Sequence, residues 1–321
     1  MQYLSRQTSN NPHNNRSFDY ANKRRVCTAI ALILFVAINM VSPPSDAAEV
    51  TRTLVFKDKP AIRVTGKISR GDFDKIRRAA KSVLAESSQV IVSLNSEGGD
   101  YEEALRIAEL IRNLNAQTLI SGHLSRGSQT TQERCYSACF LIHAAGSVRH
   151  YTYNNIQFDN SGDRILSETP VLGIHRPYLN PELNRTLSAS ESRERYERIE
   201  ASSRKLLSSV AIPQDVVDEM FKTSSTEIHL ISESKFSERI GEVQPYYQEW
   251  IRSKCGVLDK SEIRDLGRII ALRLSPENST ALPPDLSEGY AQYLQKKQSD
   301  IEVCSDRAVL AHQRSVLGLP K

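Results

Sequence analysis

Three short stretches of the chain carry residues that could perform nucleophilic catalysis. Ser137 precedes an apolar run, His175 follows a short apolar strand, and Gly98-Gly99 forms a turn after another strand. A serine hydroxyl becomes an effective nucleophile when a histidine takes its proton. These residues therefore predict attack by Ser137 on a carbonyl group, with His175 as the base. Backbone amides beside glycine can stabilise the resulting oxyanion, and the expected donors are those of Gly98, Gly99 and Ala138.

Each of these residues also has an ordinary structural interpretation. Serine is a frequent helix N-cap, histidine at a strand end commonly bonds to backbone, and paired glycines often form a simple turn. The order of the three motifs along the chain favours the catalytic interpretation. Four other histidines fit the site poorly, because they lie in an apolar helix or beside loops. They are interpreted as structural or solvated, and they are His123, His143, His150 and His229.

A catalytic histidine is commonly oriented by a carboxylate, and the chain offers a weak candidate for this role. Glu227 stands in the segment that follows the last predicted core helix, and Asp218 is a more distant choice. The structural interpretation of both residues is an exposed acidic side chain. Glu227 is therefore expected as a doubtful third member of the site.

The same motifs carry a family resemblance. Asn95-Ser96-Glu97-Gly98-Gly99 resembles the N-S-P-G-G turn of the proteolytic subunit of the Clp protease. Ser137-Ala138 and Ile174-His175-Arg176-Pro177 follow in the order of that family's serine turn and its I-H-Q-P strand end. The resemblance covers roughly residues 61–243. It implies an α/β fold of the Clp-protease/crotonase kind with stacked βαβ units, a serine nucleophile, and peptide bonds as substrate.

The chain departs from that family pattern at two places. Glu97 replaces the proline of the turn, and no aspartate stands where the family has its third catalytic residue. Two alternatives to an enzyme of this kind follow. The chain could be a catalytically inactive scaffold that acts as a periplasmic interaction protein, or a crotonase relative that handles coenzyme A.

Predicted strands and helices alternate along the part of the chain that must position these residues. The segments 89–94 and 117–121 are predicted strands, and the segment between them from Tyr101 onward is a predicted amphipathic helix. Such a βαβ unit has parallel strands and a right-handed crossover. Because parallel strands present their carboxyl ends at one sheet edge, the Ser137 Oγ and His175 are expected within, or nearly within, hydrogen-bond distance.

The N-terminal segment has the layout of a signal peptide. Lys23-Arg24-Arg25 precedes the apolar run Val26 to Val41, and Ser45 and Ala47 stand at A-x-A spacing. The run is shorter than the roughly 20 apolar residues of a membrane-spanning helix, which favours cleavage after Ala47 over a permanent anchor. In either case the body is expected to be exported, in the periplasm or anchored to the inner membrane facing it.

The predicted domain organisation follows from these segments. Residues 1–47 form the signal peptide or membrane anchor, residues 48–245 the Clp-protease/crotonase-like domain, and residues 246–321 a helical C-terminal region. The cysteines outside the leader are even in number, which in an oxidising compartment predicts disulfides. Cys135 can bridge to Cys139 if Cys135 lies off the helix, the alternative being two buried thiols. Cys255 and Cys304 are expected to join two C-terminal helices.

Composition and charge limit the classes of partner. The chain is 39% hydrophobic and 25% charged, as ordinary globular proteins are. Three of its four net positive charges lie in residues 1–47, so the body lacks the basic face of a nucleic-acid binder. A peptide or protein substrate is expected, with membrane contact only through the N-terminal segment and a homo-oligomer as a further expectation. Neither a cofactor nor a metal is expected, because no zinc-type ligand pair stands near the cysteines.

Overall fold

The structure is a computed structural model, and it describes residues 47–56, 58–121, 133–152, 157–158, 164–165, 171–179, 186–274 and 286–320. The predicted leader as far as Asp46, which includes Cys27, lies outside the described residues. So do His123, most of the loop before Ser137 and most of the insertion before His175. Within the described residues, no helix is long and apolar enough to cross a membrane. The described residues belong to one compact unit.

A five-stranded sheet carries most of the core. Its strand order is β1-β2-β3-β4-β6, where the strands are β1 (Glu49–Val55), β2 (Lys59–Thr65), β3 (Ile91–Asn95), β4 (Gln117–Ser121) and β6 (Arg149–Thr152). The pairs from β2 to β6 are parallel, and β1 pairs with β2 in an antiparallel hairpin. The near-continuous apolar sequence of β3 is typical of a parallel strand covered on both faces.

A smaller sheet holds the strands next to the predicted catalytic residues. Its order is β10-β9-β5, where the strands are β5 (Arg134–Tyr136), β9 (Val171–Ile174) and β10 (His229–Ile231). The pair β5 and β9 is parallel, whereas β10 is antiparallel to β9. A bridge between Ser96 and Cys135 sets β5 beside the chain that leaves β3. A separate short hairpin consists of β7 (Gln157–Phe158) and β8 (Arg164–Ile165).

Helices connect these strands and form the C-terminal region. They are α1 (Asp72–Val83), α2 (Tyr101–Asn113), α3 (Ala138–Ala144), α4 (Ala189–Ser209), α5 (Gln214–Lys222), α6 (Pro245–Cys255), α7 (Lys260–Leu274) and α8 (Glu288–Val316). A helical turn, Glu233–Lys235, continues into a π-helical turn, Phe236–Ile240. Caps fix several starts: Asp100 accepts a hydrogen bond from the Glu103 amide, and Ser188 forms a capping box with Glu191. The fold is therefore mixed α/β, as predicted.

A buried arginine joins three chain segments. Arg149 is 1% exposed, and its guanidinium donates to the carbonyl oxygens of Ala144 (2.9 Å), Ile240 (3.3 Å) and Val210. These carbonyls stand at the ends of α3, the π-helical turn and α4, where helical hydrogen bonds run out. Burial lowers the pKa of the Arg149 guanidinium to about 10. The cation satisfies carbonyl groups that would otherwise be buried without a donor.

The C-terminal helices pack on one another and on the main core. A second core cluster contains Leu258, Leu266, Ile269, Leu286, Ala291 and Leu294. The pattern 290–304 predicts the last helix, but α8 extends from Glu288 to Val316. Near its end, the buried Gln313 side chain accepts a hydrogen bond from the Val90 amide at 2.9 Å. The sulfurs of Cys255 and Cys304 lie 2.04 Å apart in a disulfide between α6 and α8.

Candidate functional site

Ser137 occupies a strained turn between β5 and α3. Its backbone has φ 58° and ψ −119°, and its amide donates to the Gly173 carbonyl at 2.9 Å. Such a conformation costs a residue with a side chain about 1–3 kcal/mol and persists only where the surroundings impose it. The hydroxyl makes no capping hydrogen bond to α3, so the N-cap interpretation does not explain the serine. Strained strand-to-helix turns of this kind hold nucleophilic serines in other hydrolases.

A disulfide encloses this turn. The sulfurs of Cys135 and Cys139 lie 2.01 Å apart, and both residues are fully buried. Cys135 belongs to β5 and Cys139 to the first turn of α3, so Ser137 stands midway in the closed loop. The covalent link therefore constrains the backbone on both sides of the serine.

Gly98 lies against the Ser137 turn. A Cβ atom at Gly98 would approach the Ser137 Cβ and the Tyr136 carbonyl oxygen, each to 2.8 Å. Only glycine fits this approach without displacing the backbone. The Gly98 amide donates to Ser96 Oγ at 3.1 Å, so it is already engaged. The role of Gly98 at the site is close approach rather than oxyanion binding.

Gly99 keeps its amide available. Ile68 donates to the Gly98 carbonyl and accepts from the Asp100 amide, both at 2.8 Å. In such a parallel pairing, the N–H of the residue between, Gly99, points away from Ile68, toward the side on which β5 pairs. Ala138 is the first residue of α3, so its amide has no acceptor within the helix. Gly99 and Ala138 are therefore the two candidate oxyanion donors.

His175 follows the end of β9, next to the serine turn. Tyr136 pairs with Gly173 in the parallel register, which leaves Ser137 and His175 one residue out of step on neighbouring strands. The two residues therefore follow the ends of two paired strands. Ser137 is 3% exposed and His175 is 6% exposed. Both are described residues, and no hydrogen bond joins their side chains in this structure.

The ring of His175 is held by its own backbone segment. Its Nδ1 lies 2.8 Å from the carbonyl oxygen of Arg176. A carbonyl oxygen only accepts hydrogen bonds, so Nδ1 carries the hydrogen in this contact. Nε2 of the neutral ring then has the lone pair that a general base requires.

Tyr101 also belongs to the site, although the pattern around it predicts only the start of a helix. Its hydroxyl donates to the His175 carbonyl oxygen at 3.1 Å, and the residue is buried. Burial raises the pKa of the Tyr101 phenol well above its ordinary value, and the nearby Ser137 hydroxyl offsets part of that rise. Tyr101 therefore binds the backbone of His175 and lies near the Ser137 hydroxyl. The only sequence signal for it is its position two residues after Gly99, at the start of α2.

Among the described residues, no carboxylate bonds to the His175 ring. Glu227 is exposed, and within the described part of the chain its side chain forms no hydrogen bond or ion pair. The Asp218 carboxylate accepts from Arg204 at 3.0 Å and from Gln214 at 2.9 Å, so it is engaged elsewhere. The Arg176 carbonyl occupies the position on Nδ1 where an aspartate would bind.

His143 is fully buried and lies outside the site. Both its ring nitrogens lack a hydrogen-bond partner among the described residues, and its ring packs 5.5 Å from that of Phe236. Burial, and then the positive charges of Arg149 and His150, lower the pKa of His143 to about 3. The ring is therefore a neutral core group at ordinary pH.

The other histidines have separate contacts. His150 Nε2 lies 2.9 Å from the Gln117 side chain, and His229 lies 3.4 Å from Glu219. Across the described ranges, no three His, Cys, Asp or Glu side chains come together as a metal site. Glu97, which replaces the family's proline, forms an ion pair with Arg134 at 2.8 Å on the outer side of the turn.

Comparison with known proteins gives a distant likeness among solved structures. The chain matches no protein-family model and no curated protein. Among solved structures it is similar to a mutant of ClpP1 from Listeria monocytogenes, with a TM-score of 0.36 and 16% identity over 57% of this chain and 88% of the other. At this score the likeness shows nothing about activity or catalytic residues. Membership of the Clp or crotonase families, and crotonase-like stacking of units, stay predictions.

Proposed function

We propose that the chain is a serine hydrolase that cleaves peptide bonds, with Ser137 as the nucleophile and His175 as the general base. The observation that carries the proposal is the strained turn at Ser137, whose hydroxyl does not cap the helix that follows. A disulfide encloses this turn, and Gly98 packs against it. Strain imposed by several independent contacts is typical of functional positions.

The arrangement supports acyl transfer in two steps. Nε2 of His175 takes the Ser137 proton as Oγ attacks the substrate carbonyl, and the Gly99 and Ala138 amides stabilise the oxyanion. The protonated His175 then gives its proton to the leaving amine, and an acyl-enzyme forms. Water, deprotonated by the same Nε2, attacks the acyl-enzyme and releases the second product. His175 returns the proton to Ser137.

The Arg176 carbonyl has the orienting role that a carboxylate has in a full triad. It fixes the His175 tautomer, because it can accept a hydrogen bond only from Nδ1–H. A neutral carbonyl compensates the positive imidazolium less than a carboxylate does, so the reaction is expected to be slower than with a complete triad.

Tyr101 holds the backbone of His175 in place. Its phenol stays protonated, because burial raises its pKa, and it donates to the His175 carbonyl oxygen. Ser137 Oγ must rotate toward Nε2 for proton transfer, because no hydrogen bond joins the two side chains in this structure. Catalytic hydrogen bonds of this type are often formed only once substrate binds.

Export is part of the same proposal. Two disulfides close in the described structure, and disulfides persist in oxidising compartments outside the cytoplasm. Peptides or proteins in the periplasm are therefore the proposed substrates, reached by a soluble body or by one tethered through the N-terminal segment.

A fluorophosphonate probe tests the nucleophile without knowledge of the substrate. We expect the folded protein to be labelled on Ser137, and Ser137→Ala to abolish labelling. His175→Ala should slow it by at least about 100-fold, the usual contribution of a general base. Matched controls are Ser147→Ala and His150→Ala, a buried serine and a partly buried histidine away from the site. Equal labelling of Ser137→Ala and the unaltered chain would contradict the assignment.

One observation favours a second candidate, an inactive scaffold that acts through binding. The His175 ring has no carboxylate partner among the described residues, and Ser137 does not bond to it. Failure of the probe to label a chain that is folded, as judged by circular dichroism and a cooperative melt, would reject the hydrolase and leave the scaffold.

A further inference from the structure

The residue at the predicted cleavage junction is bound on both sides of its backbone. The Ala48 amide donates to Asp72 Oδ2 at 3.2 Å, and the Ala48 carbonyl oxygen accepts from Lys75 Nζ at 3.1 Å. Ala48 is 2% exposed and belongs to the main core cluster, whereas Ala47 is exposed. The boundary between an exposed and a buried residue therefore falls at the bond Ala47–Ala48.

Asp72 is an unusual partner for a backbone amide. The residue is 0% exposed, and its carboxylate also accepts from the Ser69 amide and from Lys75 Nζ, both at 2.8 Å. A buried carboxylate requires paired charge and hydrogen bonds, because desolvation of an ion is costly. Its Lys75 partner is only partly buried, with 38% of its side chain exposed.

We propose that Asp72 and Lys75 form the binding site for the amino terminus that leader cleavage creates at Ala48. Water adds across the Ala47–Ala48 bond: its oxygen joins the Ala47 carbonyl carbon, the C–N bond breaks, and Ala48 leaves as an amine that is protonated. The catalyst is an endopeptidase that recognises small residues at A-x-A spacing, here Ser45 and Ala47.

Cleavage places the new positive charge on a nitrogen that already donates a hydrogen bond to a carboxylate. The Ala48 nitrogen has its acceptor in the uncleaved chain, so cleavage turns a neutral hydrogen bond into one between an ammonium and a carboxylate. Charge-assisted hydrogen bonds are roughly twice as strong as neutral ones. Ala47 makes no hydrogen bond in the described part of the chain, so its removal leaves no group without a partner.

The site also explains why the cleavage position matters. Cleavage one residue earlier would leave Ala47 between the ammonium and Asp72. Cleavage one residue later would remove Ala48, whose side chain lies in the core, and would leave Asp72 without this donor. Only a terminus at Ala48 combines the buried side chain with the paired charge.

Two measurements on the exported protein test the proposal. First, the full-length gene is expressed in a host that exports the product, and the purified protein is examined by intact mass and N-terminal sequencing. We expect the chain to begin at Ala48. A retained leader, or a terminus at any other residue, would overturn the proposal.

Second, the reactivity of the Ala48 amine is measured by limited acetylation with acetic anhydride near neutral pH and peptide mass mapping. An ammonium paired with a carboxylate loses its proton less readily, and a pKa rise of one unit slows acetylation by about tenfold. We expect at least this slowing relative to Asp72→Asn, with Glu49→Gln, the neighbouring exposed carboxylate, as the matched control that changes nothing.

If Asp72→Asn does not fold, the unaltered protein provides the same comparison. Its Ala48 amine should react about tenfold more slowly in the folded state than in urea, with exposed lysines as the internal reference. Equal reactivity of the Ala48 amine in both states would overturn the pairing with Asp72.

Discussion

The two disulfides of the chain differ in almost every structural respect. Cys135 and Cys139 are four residues apart, fully buried, and enclose Ser137. Cys255 and Cys304 are 49 residues apart, partly buried, and join α6 to α8 in the C-terminal region. One closes a single turn around the candidate nucleophile, and the other ties together two long helices.

The difference in loop length predicts that one disulfide acts on local geometry and the other on the stability of the whole fold. A disulfide restricts the unfolded chain more when the closed loop is longer, by about 4 kcal/mol for the long loop and about 2 kcal/mol for the short one in the loop-entropy treatment. The short disulfide is therefore expected to act mainly on the conformation of Ser137. The long disulfide is expected to act mainly on the free energy of unfolding.

The largest expected effect is on stability, from removal of the long disulfide. Cys255→Ala with Cys304→Ala should lower the free energy of unfolding by about 4 kcal/mol, as measured by urea titration. Probe labelling of Ser137 in the folded protein should keep its rate, because among the described residues α6 and α8 form no hydrogen bond with the serine turn. Loss of labelling in a folded variant would show that the two regions are coupled.

Removal of the short disulfide should have a smaller effect on stability and a larger one on the site. Cys135→Ala with Cys139→Ala is expected to cost about 2 kcal/mol of unfolding free energy. Release of the strained Ser137 backbone should also slow probe labelling by about tenfold, if about 1.4 kcal/mol of the imposed conformation is lost. Labelling at the original rate would mean that Gly98 and the β5–β9 pairing hold the turn without the disulfide.

Acid should distinguish the two regions, because α3 contains His143. The folded-state pKa of His143 is about 3, below its ordinary 6.5, so the unfolded chain binds the proton first as the pH falls. The contribution of neutral His143 to the free energy of unfolding is therefore fully present above pH 6.5. It is lost as the pH falls from 6.5 toward 3, by about 1.4 kcal/mol over the first pH unit. Urea titrations of the unaltered chain and of His143→Phe should diverge in that range. Parallel curves would show that His143 does not titrate with unfolding.

The smallest expected effect concerns an ion pair of the C-terminal helices. Arg273 and Glu288 lie 3.1 Å apart with 44% and 59% of their side chains exposed. Exposed pairs of this kind contribute up to about 1 kcal/mol, so Arg273→Ala should change the free energy of unfolding by less than that. A larger loss in urea titration would show that charge pairing, and not only the disulfide and the second core cluster, holds these helices.

The order of strands and helices around the site could be predicted because periodic apolar residues determine it. The short apolar run 89–94 predicted β3, and the run 117–121 predicted β4. The apolar residues after Tyr101 predicted α2, because they recur at the spacing that buries one face of a helix on a sheet. The meeting of Gly98, Ser137 and His175 at neighbouring strand ends follows from parallel pairing. The antiparallel direction of the edge strands β1 and β10 could not be predicted from the sequence pattern, because a short edge strand can pair in either direction.

The finer contacts of the site could not be predicted from residue types. The Arg176 carbonyl on His175 Nδ1 is a backbone group, and every residue has one. The contact of Tyr101 with the His175 carbonyl depends on the angle at which α2 leaves the turn. The third residue of such a site is ordinarily a carboxylate, so residue types point to Glu227, which is exposed in the structure.

The contacts of Arg149 have a consequence for how the molecule opens in its native state. One guanidinium binds the ends of α3, α4 and the π-helical turn. If any of the three frays, the buried cation of Arg149 loses a carbonyl acceptor, which is costly. The amides at these ends should therefore exchange with deuterium together, at the rate of one shared cooperative opening. Segments remote in sequence would thus form a single unit of exchange, with the serine turn attached to it through α3.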